Sequence, residues 1–366
     1  MSVSASGARA PSTLGRLIEP FIAPDVFDFW VGHLNPAWSW SRPLAKVVER
    51  RVEAADTVTL VLKPNRHVGR FQPGQHVNVS AEVNGRRTTR SYSLTGIPQR
   101  NGRFSLTIKR VEGGKLSTHL CRDVQVGDVL EIGPAFGEMT LPAKPEGRWV
   151  FLAAGSGITP LMSLTRALAA QNMPVDTTLV YWAKTRAELC FLLELQGLAR
   201  RFPNFHLHIV LTHEAQLIAG EHSGFISTEQ LTELAGDMSD AQVYACGPSG
   251  FVDTARALTE GRVHRFLAEG FTPAQIDTTD ATTVRVQLAR TGRTLEVSTG
   301  QSLLEALEAH GVNPRSGCRM GVCHTCVCTK RAGTIEDINT KEQSTEEEGQ
   351  VRICVSRART DVTLDL

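Results

Sequence analysis

Residues 317–328 read GCRMGVCHTCVC, and this short stretch holds the most informative pattern of the chain. Cys318, Cys323 and Cys326 stand in a C-x4-C-x2-C spacing, and Cys354 follows at a distance. With this spacing, one loop and a remote fourth thiolate bind a plant-type [2Fe–2S] cluster. Soft thiolate ligands suit iron and sulfide, and the glycines of the loop let it close around a cluster. The sequence therefore predicts an iron–sulfur centre.

The remaining cysteines leave room for other interpretations. A structural zinc site usually pairs two short C-x2-4-C knuckles, whereas this chain has one short pair, so zinc is the weaker hypothesis. Cys328 lies two positions after the third ligand and is expected to be a small buried hydrophobic residue. Cys121 and Cys190 stand in helix-like stretches and are also expected in a core.

The composition of the 366-residue chain excludes several classes of protein. Its length predicts two or three domains. Lys and Arg number 39 against 38 Asp and Glu, so no overall charge attracts nucleic acid, and a partner must be recognised by a local patch. No apolar run approaches the ~18 residues of a membrane span. The first residues lack an apolar leader segment, which favours a cytoplasmic protein without structural disulfides.

Three regions of different pattern follow one another. Residues 43–143 carry short β-type runs separated by Gly, Pro and Asn, which predicts an antiparallel barrel or sandwich. In residues 144–270, apolar strands alternate with helical periods, as in a doubly wound parallel α/β sheet. A Thr- and Asp-rich linker at 271–283 leads to residues 284–366, where a predicted hairpin and a short amphipathic helix precede the cysteine loop.

Residues 1–42 form an extension rich in aromatic residues. Twenty residues hold six of the 22 aromatics in the chain: Phe21, Phe27, Phe29, Trp30, Trp38 and Trp40. Such a density suits docking to a membrane or to a membrane-bound partner. Because basic residues are sparse in this segment, packing of the rings across the β domain as an extra layer is the favoured hypothesis.

Two local patterns predict sites for a flavin. Arg90-Ser91-Tyr92-Ser93 ends a predicted strand, where Arg90 and Tyr92 share one face. A guanidinium suits a phosphate, an aromatic ring can lie on an isoalloxazine, and a hydroxyl can reach the flavin N5 edge. Further on, the turn GGKLST at 113–118 enters a helix whose first amides and hydroxyls could bind a pyrophosphate.

Another glycine-rich loop predicts a nicotinamide cofactor. Residues 155–160 read GSGITP, follow an apolar strand and open a helix, so backbone amides can approach a pyrophosphate. The third glycine of the dinucleotide fingerprint is missing, and Pro160 stands where a first helical turn tolerates proline. Lys184 and Arg186 follow the second strand and could receive the 2′-phosphate of NADPH, so NADPH is favoured over NADH.

In their order along the chain, these motifs resemble the ferredoxin–NADP⁺ reductase superfamily. RSYSL lies between PGQHV at 73–77 and the later IKR, GGKLST and GPAFGEMTL at 133–141, as in the flavin domain of that superfamily. GSGITP resembles its G-x-G-x-T-P motif, and YACGPSG at 244–250 is similar to its Y-x-C-G-P segment. The resemblance implies an antiparallel β-barrel flavin domain, an α/β doubly wound nucleotide-binding domain and an α+β ferredoxin domain of the β-grasp type.

The resemblance also implies the cofactors and their residues. FAD is favoured over FMN, with NAD(P)H as donor and a [2Fe–2S] cluster. Tyr92 would stack on the flavin, Arg90 would hold its phosphates and Ser93 would sit near N5. Further flavin-site residues are Ser91, Lys109, Gly114, Lys115, Ser117 and Thr118. The nucleotide site would include Gly155, Gly157, Thr159, Pro160, Lys184, Arg186, Cys246, Gly247 and Pro248. Tyr92, Ser93, Thr159 and Cys246 are expected to orient the hydride transfer, for which no general base is needed.

The three domains together predict an electron relay. A hydride carries two electrons and an iron–sulfur centre passes one at a time, so a flavin is the natural converter between them. The domain order resembles that of one-component reductases of oxygenases, hydroxylases and desaturases. The stretch LNPAWSWSRPLAKV at 34–47 is most similar to reductases of membrane di-iron fatty-acid or acyl-CoA desaturases. A reductase of ring-hydroxylating or other aromatic-degradation oxygenases is the alternative, and a redox sensor that turns over little nucleotide is a third hypothesis.

Two features depart from the pattern of free plant ferredoxins. Residues 284–366 hold 11 basic and 11 acidic residues, whereas the free proteins are strongly acidic. His324 and Thr325 stand between the second and third cysteines, where small residues are more usual, and they could alter hydrogen bonding to the sulfurs. We expect a monomer that binds no nucleic acid and meets a membrane, if at all, through its acceptor at the inner face.

Overall fold

We analysed a computed structural model of the chain, which describes residues 23–271, 276 and 278–366. The first sheet consists of the antiparallel strands β1 (Leu44–Ala54), β2 (Thr57–Pro64), β3 (His76–Val83), β4 (Arg86–Ser93), β5 (Phe104–Lys109) and β6 (Val129–Phe136). Their order is β4-β3-β6-β1-β2-β5, and a bridge between Leu94 and Leu106 joins the two edges into a barrel. Helix α2 (Lys115–Arg122) buries Leu116 and Leu120 in the barrel core. The predicted antiparallel barrel is confirmed.

The second sheet is entirely parallel. Its strands are β7 (Arg148–Ala154), β8 (Asp176–Ala183), β9 (Phe205–Leu211), β10 (Glu221–Ser223), β11 (Ala241–Gly247) and β12 (Arg265–Gly270), in the order β10-β9-β8-β7-β11-β12. Its helices are α3 (Ile158–Ala170), α4 (Leu192–Arg201), α5 (Thr228–Ala235) and α6 (Ser249–Thr259). Separate apolar cores contain the side chains of its two faces, as a doubly wound sheet requires. Because β7 and β11 are neighbours, the loops after them meet at one edge.

The carboxyl-terminal region combines a mixed sheet, a small second sheet and a short helix. Its strands are β13 (Thr283–Leu288), β14 (Thr294–Ser298), β15 (Val327–Ala332), β16 (Ile335–Asp337), β17 (Gln343–Ser344), β18 (Gly349–Arg352), β19 (Ser356–Ala358) and β20 (Val362–Leu364). The larger sheet has the order β14-β13-β20-β15-β18, and the smaller one β17-β16-β19. Helix α7 (Leu303–Ala309) begins with a capping box between Ser302 and Glu305. The predicted hairpin and helix are both present, in an α+β domain.

The aromatic extension is partly packed and partly exposed. Helix α1 (Pro24–Leu34) is held by Asp28, whose carboxylate accepts hydrogen bonds from Ser39 Oγ at 2.7 Å and the Trp40 amide at 2.6 Å. Phe27 packs edge-on against Trp40. Exposed rings in the same region are Phe29, Trp30 and Trp38. Phe27 and Trp40 thus pack against each other within the segment, and the expectation of an extra layer across the β domain is wrong for the three exposed rings. Phe21 lies outside the described residues.

Some elements differ from the sequence expectations. Cys121 lies buried in α2 as predicted, but Cys190 is in a bend before α4 and not in a helix, although it is buried. Helix α5 and the edge strands β10 and β12 were not anticipated, because their sequences are short and weakly patterned. Among the described residues, no helix is long and apolar enough to cross a membrane.

Candidate redox site

The predicted flavin residues form the carboxyl end of β4. Arg90, Ser91, Tyr92 and Ser93 are its last four positions, and each pairs with a residue of β3. Side chains alternate along a strand, so Arg90 and Tyr92 share one face. Tyr92 packs against the barrel core, and burial raises the pKa of its phenol, so the hydroxyl stays protonated at neutral pH. A neutral aromatic ring held in this way can stack on an isoalloxazine.

Arg90 is a half-buried cation that forms no carboxylate ion pair within the described part of the chain. Its guanidinium donates to the Thr89 carbonyl at 2.7 Å. Burial lowers the pKa of Arg90, and the neighbouring Arg319 guanidinium contributes to this. A partly desolvated cation beside another cation is stabilised by an anionic ligand. Arg90 therefore fits the phosphate-binding role predicted for it.

Ser93 belongs to a buried hydrogen-bond chain that links two domains. Its Oγ lies 3.0 Å from His76 Nδ1, and His76 Nε2 lies 2.5 Å from Glu269 Oε2 on β12. His76 is 6% exposed, and the rings of Phe136 and Phe271 flank it. The imidazole therefore holds the Ser93 hydroxyl in one orientation and ties the barrel to the parallel sheet.

The GGKLST turn is shaped by its glycines. Gly113 has φ +69°, and a side chain on Gly114 would lie 2.4 Å from Ser117 Oγ. Ser117 accepts the Val111 amide at 3.2 Å, so its buried hydroxyl stabilises the turn itself. Lys115 is exposed at the start of α2 and Thr118 is half-buried beside it. The backbone amides of the turn and the side chains of Lys115 and Thr118 are therefore available to bind a ligand.

Lys109 has a different environment from the one predicted. Its Nζ lies 2.5 Å from Glu188 Oε2, in the segment that follows β8. Glu53 of β1 accepts a hydrogen bond from the Phe191 amide at 3.2 Å. Both contacts connect the barrel to the parallel sheet, so Lys109 joins domains, and its assignment as a flavin ligand remains a prediction.

The nucleotide loop packs closely against the end of β11. Residues 155–157 form one 3-10 turn before α3, and Gly155 has φ +55°. A Cβ on Gly157 would lie 1.9 Å from the Cys246 carbonyl oxygen, so only glycine fits there. Thr159 donates to the Ser156 carbonyl at 2.9 Å and stabilises the turn. The structure thus brings the two predicted nucleotide motifs together.

The residues beside this loop are tightly packed as well. Gly247 lies against Ala154, where an added Cβ would come within 2.8 Å of the alanine side chain. Pro248 precedes α6, and Pro160 is buried in the first turn of α3. The Cys246 thiol is fully buried 3.2 Å from Met139 Sδ, and burial raises its pKa well above the ordinary value. Cys246 is therefore a neutral thiol that fills space beneath the loop.

The two basic residues predicted to choose the nucleotide differ in their surroundings. Arg186 forms a paired contact with Glu221, at 2.7 and 2.6 Å, and its amide donates to Glu214. Lys184 is exposed at the end of β8 and forms no ion pair among the described residues. Lys184 is therefore the better placed of the two to meet a phosphate, since Arg186 is already neutralised.

The four predicted cluster ligands are gathered in one place. Cys318 contacts both Cys323 and Cys354 through its thiol, and Cys354 also contacts Cys326. In the part of the chain that the structure describes, no three or more His, Cys, Asp or Glu side chains surround a single-ion site. A [2Fe–2S] cluster needs two pairs of thiolates, and the four contacting sulfurs fit that requirement.

The backbone of the cysteine loop turns inward towards these sulfurs. Arg319, Gly321 and His324 have φ of +60°, +79° and +54°. The amides of Met320 and Cys323 each donate to Cys318 Sγ at 3.3 Å. The Cys323 and Cys354 thiols, with these amides, lower the pKa of Cys318, and the same contacts raise the pKa of Cys323 and Cys354. Within this group, Cys318 is therefore the thiol that most readily becomes a thiolate.

Cys328 is not part of this group of sulfurs. It packs half-buried against the core of the ferredoxin domain, and burial raises its pKa to about 12. At neutral pH it is a thiol, as expected of a small packing residue.

Comparison with known proteins gives the same three units in the same order. Family models match for an oxidoreductase FAD-binding domain at 44–140, an oxidoreductase NAD-binding domain at 151–257 and a 2Fe-2S iron-sulfur cluster binding domain at 286–359. An NADPH oxidoreductase of Mycobacterium tuberculosis is 32% identical over 364 residues, which cover 96% of this chain and 92% of the relative. The chain belongs to the ferredoxin–NADP⁺ reductase superfamily, with a carboxyl-terminal [2Fe–2S] domain.

Other relatives of the reductase have the same architecture. A glycine betaine monooxygenase reductase subunit of Pseudomonas aeruginosa is 29% identical and covers 91% of this chain and 98% of its own. The solved structure of phthalate dioxygenase reductase is similar with a TM-score of 0.62 and 25% identity, over 88% of this chain and 97% of that one. The reductase is thus an NAD(P)H-dependent oxidoreductase with FAD and [2Fe–2S] cofactors.

Sequence reasoning missed two residues of the site. His76 lies in the PGQHV motif, but the motif by itself gives its histidine no role. Glu269 carries no local signal, because its partner His76 is 193 residues away. The signal that could have been used was His76 itself, a polar residue at an inward-facing strand position.

Proposed function

We propose that the reductase passes electrons from NADPH through FAD and the [2Fe–2S] cluster to a membrane-bound di-iron fatty-acid or acyl-CoA desaturase. The observation that carries the choice of acceptor is the exposed aromatic face of α1. Phe29 is 60%, Trp30 67% and Leu34 80% exposed. Trp30 and Leu34 are one turn apart on the helix, and the Phe29 ring packs edge-on against Trp30. Large apolar side chains grouped on a surface mark a contact with a partner or a membrane.

The anchoring of α1 supports this interpretation. Asp28 accepts hydrogen bonds from Ser39 Oγ and the Trp40 amide, and Phe27 packs edge-on against Trp40, so the helix has a fixed position on the segment that follows it. Trp38 is a further exposed ring just after the helix, at 54%. Aromatic rings of this kind suit the headgroup region of a bilayer, where an apolar body meets a polar edge.

Basic residues near this helix support an anionic surface as the neighbour. Lys46 and Lys63 are directly opposed on β1 and β2, where like charges repel. Exposed Arg66 is in the adjoining loop, whose Asn65 donates to the Ala37 carbonyl at 3.0 Å. None of these three cations forms an ion pair among the described residues. A surface with negative headgroups would relieve their repulsion.

The redox site supports the relay by orienting its components. FAD, when bound, accepts a hydride and releases its electrons singly. Tyr92 supplies a ring for stacking, Arg90 a cation for phosphate, and Ser93 a hydroxyl fixed by His76. Gly157 allows the nucleotide loop to lie against the Cys246 carbonyl at the end of β11. These residues position reactants, which is the main requirement of hydride transfer.

The choice of NADPH rests on Lys184. Its exposed ammonium at the end of β8 suits a 2′-phosphate. The names of two relatives differ on this point: one is an NADPH oxidoreductase of Mycobacterium tuberculosis and another, 31% identical, an NADH oxidoreductase of Escherichia coli.

A reductase for a ring-hydroxylating or other aromatic-degradation oxygenase is the second candidate. It is favoured by the similarity to phthalate dioxygenase reductase and to a 3-ketosteroid-9-alpha-monooxygenase reductase component of Rhodococcus rhodochrous, which is 27% identical. Up to the final acceptor, its chemistry is the same as in the first proposal.

Reconstitution with each class of acceptor distinguishes the two. We expect NADPH-dependent desaturation with membranes that contain a di-iron desaturase, and loss of most of it in the double variant Phe29→Ser with Trp30→Ser. Phe225→Ser is the matched control, because Phe225 is 70% exposed but lies in the parallel-sheet domain. Activity with a soluble Rieske oxygenase and none with membranes would establish the second candidate. Negligible NADPH-dependent reduction of cytochrome c or ferricyanide would exclude both and favour a sensor.

A further inference from the structure

One amide side chain connects the flavin strand with the cysteine loop. Asn78 is on β3, directly opposite Ser91 of β4. Its Oδ1 accepts a hydrogen bond from Ser91 Oγ at 2.5 Å. On the other side, its Nδ2 lies 3.5 Å from Thr325 Oγ1, between the second and third cluster cysteines. Asn78 thus contacts both the strand that ends in the flavin residues and the loop that binds the cluster.

Two glycines make room for this side chain. A Cβ on Gly133 of β6 would lie 3.3 Å from Asn78 Cβ, and one on Gly317 would lie 3.1 Å from Asn78 Nδ2. The same added atom on Gly317 would lie 2.8 Å from Cys323 Sγ and 3.0 Å from Thr325 Oγ1. The amide, the hydroxyl and the sulfur therefore surround one point, and a side chain at Gly317 would displace them.

The contact continues to a cluster ligand. The Thr325 hydroxyl lies beside the Cys323 thiol, because an atom added at Gly317 would be within 3.0 Å of both. Polar side chains thus follow one another from Ser91 through Asn78 and Thr325 to the Cys323 sulfur. Thr325 stands where a small residue is more usual in ferredoxins, and its hydroxyl has neighbours on both sides. Nearby, Arg319 of the loop is held by Glu308 through two contacts at 2.9 and 2.5 Å and faces Arg90.

We propose that Asn78 is a positioning residue for electron transfer from the flavin to the cluster. It docks the cysteine loop on β3 and β4 and so fixes the separation of the two cofactors. No bond would be made or broken in this step: FAD, when bound, would supply one electron and the [2Fe–2S] cluster would accept it. Because the transfer precedes any contact with an acceptor, the inference does not depend on which acceptor the reductase serves.

The test compares two substitutions on the same strand pair. Asn78→Leu keeps the branched shape and the number of heavy atoms but removes both polar contacts. Ser80→Ala is the control, since Ser80 makes the equivalent contact with Thr89 at 2.6 Å one pleat away and has no described contact with the cysteine loop. Anaerobic stopped-flow absorbance follows flavin reduction by NADPH and then cluster reduction. Hydrogen exchange of residues 318–326 in the oxidised protein gives a readout of docking that is independent of turnover.

In Asn78→Leu we expect unchanged flavin reduction, cluster reduction slowed about tenfold because the released loop no longer holds the two cofactors in fixed positions, and faster exchange in the cysteine loop. Ser80→Ala should match the wild type in all three. Wild-type cluster reduction and exchange in Asn78→Leu would overturn the proposal, as would an equal defect in Ser80→Ala. If Asn78→Leu loses flavin, Thr325→Val decides from the other side of the contact: faster hydrogen exchange in the cysteine loop together with slower cluster reduction supports the proposal, and wild-type exchange refutes it.

Discussion

His76 Nε2 lies 2.5 Å from Glu269 Oε2, and this buried contact joins the flavin barrel to the nucleotide-binding sheet beside Ser93. A hydride moves only when nicotinamide and flavin are held face to face, so a contact across the two domains at this point bears directly on that step. His76→Leu should slow flavin reduction by NADPH about tenfold through loss of this orientation. Stopped-flow absorbance measures the rate, and flavin content checks that FAD is retained.

Glu269→Gln is the companion variant, because glutamine keeps the hydrogen bond and removes the charge. We expect it to retain most of the rate. Equal loss in Glu269→Gln and His76→Leu would assign the effect to charge, and a wild-type rate in His76→Leu would exclude this contact from hydride transfer.

Tyr92→Ala should loosen the flavin. Removing the ring deletes the stacking surface that its burial against the barrel holds in place. The ratio of flavin to protein after gel filtration should fall well below that of the wild type, and added FAD should restore it in part. An unchanged ratio would remove Tyr92 from the site.

The preference for NADPH should depend on Lys184 more than on Arg186. Lys184→Ala should raise the KM for NADPH roughly tenfold and leave that for NADH unchanged, because a charge-assisted phosphate contact is worth about 1.5–3 kcal/mol. Arg186→Ala should have the smaller effect, since its guanidinium is already bound by Glu221. Steady-state kinetics with both nucleotides measures this. A larger effect of Arg186→Ala would reverse the assignment.

Cys121 and Cys190 should resist alkylation in the native protein. Burial raises the pKa of each thiol to about 11. The reactive thiolate is favoured only above that value, so at pH 8 about one molecule in a thousand carries it. Iodoacetamide followed by mass spectrometry should find both unmodified at pH 8 and both labelled after unfolding in guanidinium. Rapid labelling of either in the native protein would contradict its burial.

The parts of the fold and of the site that could be predicted are those that depend on residues close together in the sequence. The cysteine loop, the RSYS strand end and the GSGITP turn are each a continuous stretch of about ten residues or fewer, and hydrophobic periodicity predicts the strands, turns and helices around them. The pairing of Ser93 with His76 and Glu269 could not be predicted, because strand order and domain contact decide it. The same holds for Arg186. The sequence predicts that its guanidinium binds the nucleotide, whereas in the structure it forms an ion pair with Glu221. In helix α1, the burial of the aromatic rings could not be predicted, because the neighbouring sequence does not distinguish the packed Phe27 from the exposed Phe29.

Cys323→Ser should separate the two halves of the relay. Loss of one of the four contacting sulfurs should prevent cluster assembly and abolish reduction of a cluster-dependent acceptor. Flavin reduction by NADPH should remain close to the wild-type rate, because the nucleotide and flavin residues belong to the other two domains. Loss of flavin reduction in a folded variant, as judged by circular dichroism, would contradict the linear route.

The most direct test of the account is an anaerobic NADPH titration of the purified reductase, followed by visible absorption, with iron, sulfide and flavin assayed on the same sample. We predict that each chain takes up three electrons, two at the flavin and one at a [2Fe–2S] centre. Flavin without iron, or zinc in place of iron, would contradict the relay and leave a simple flavin reductase.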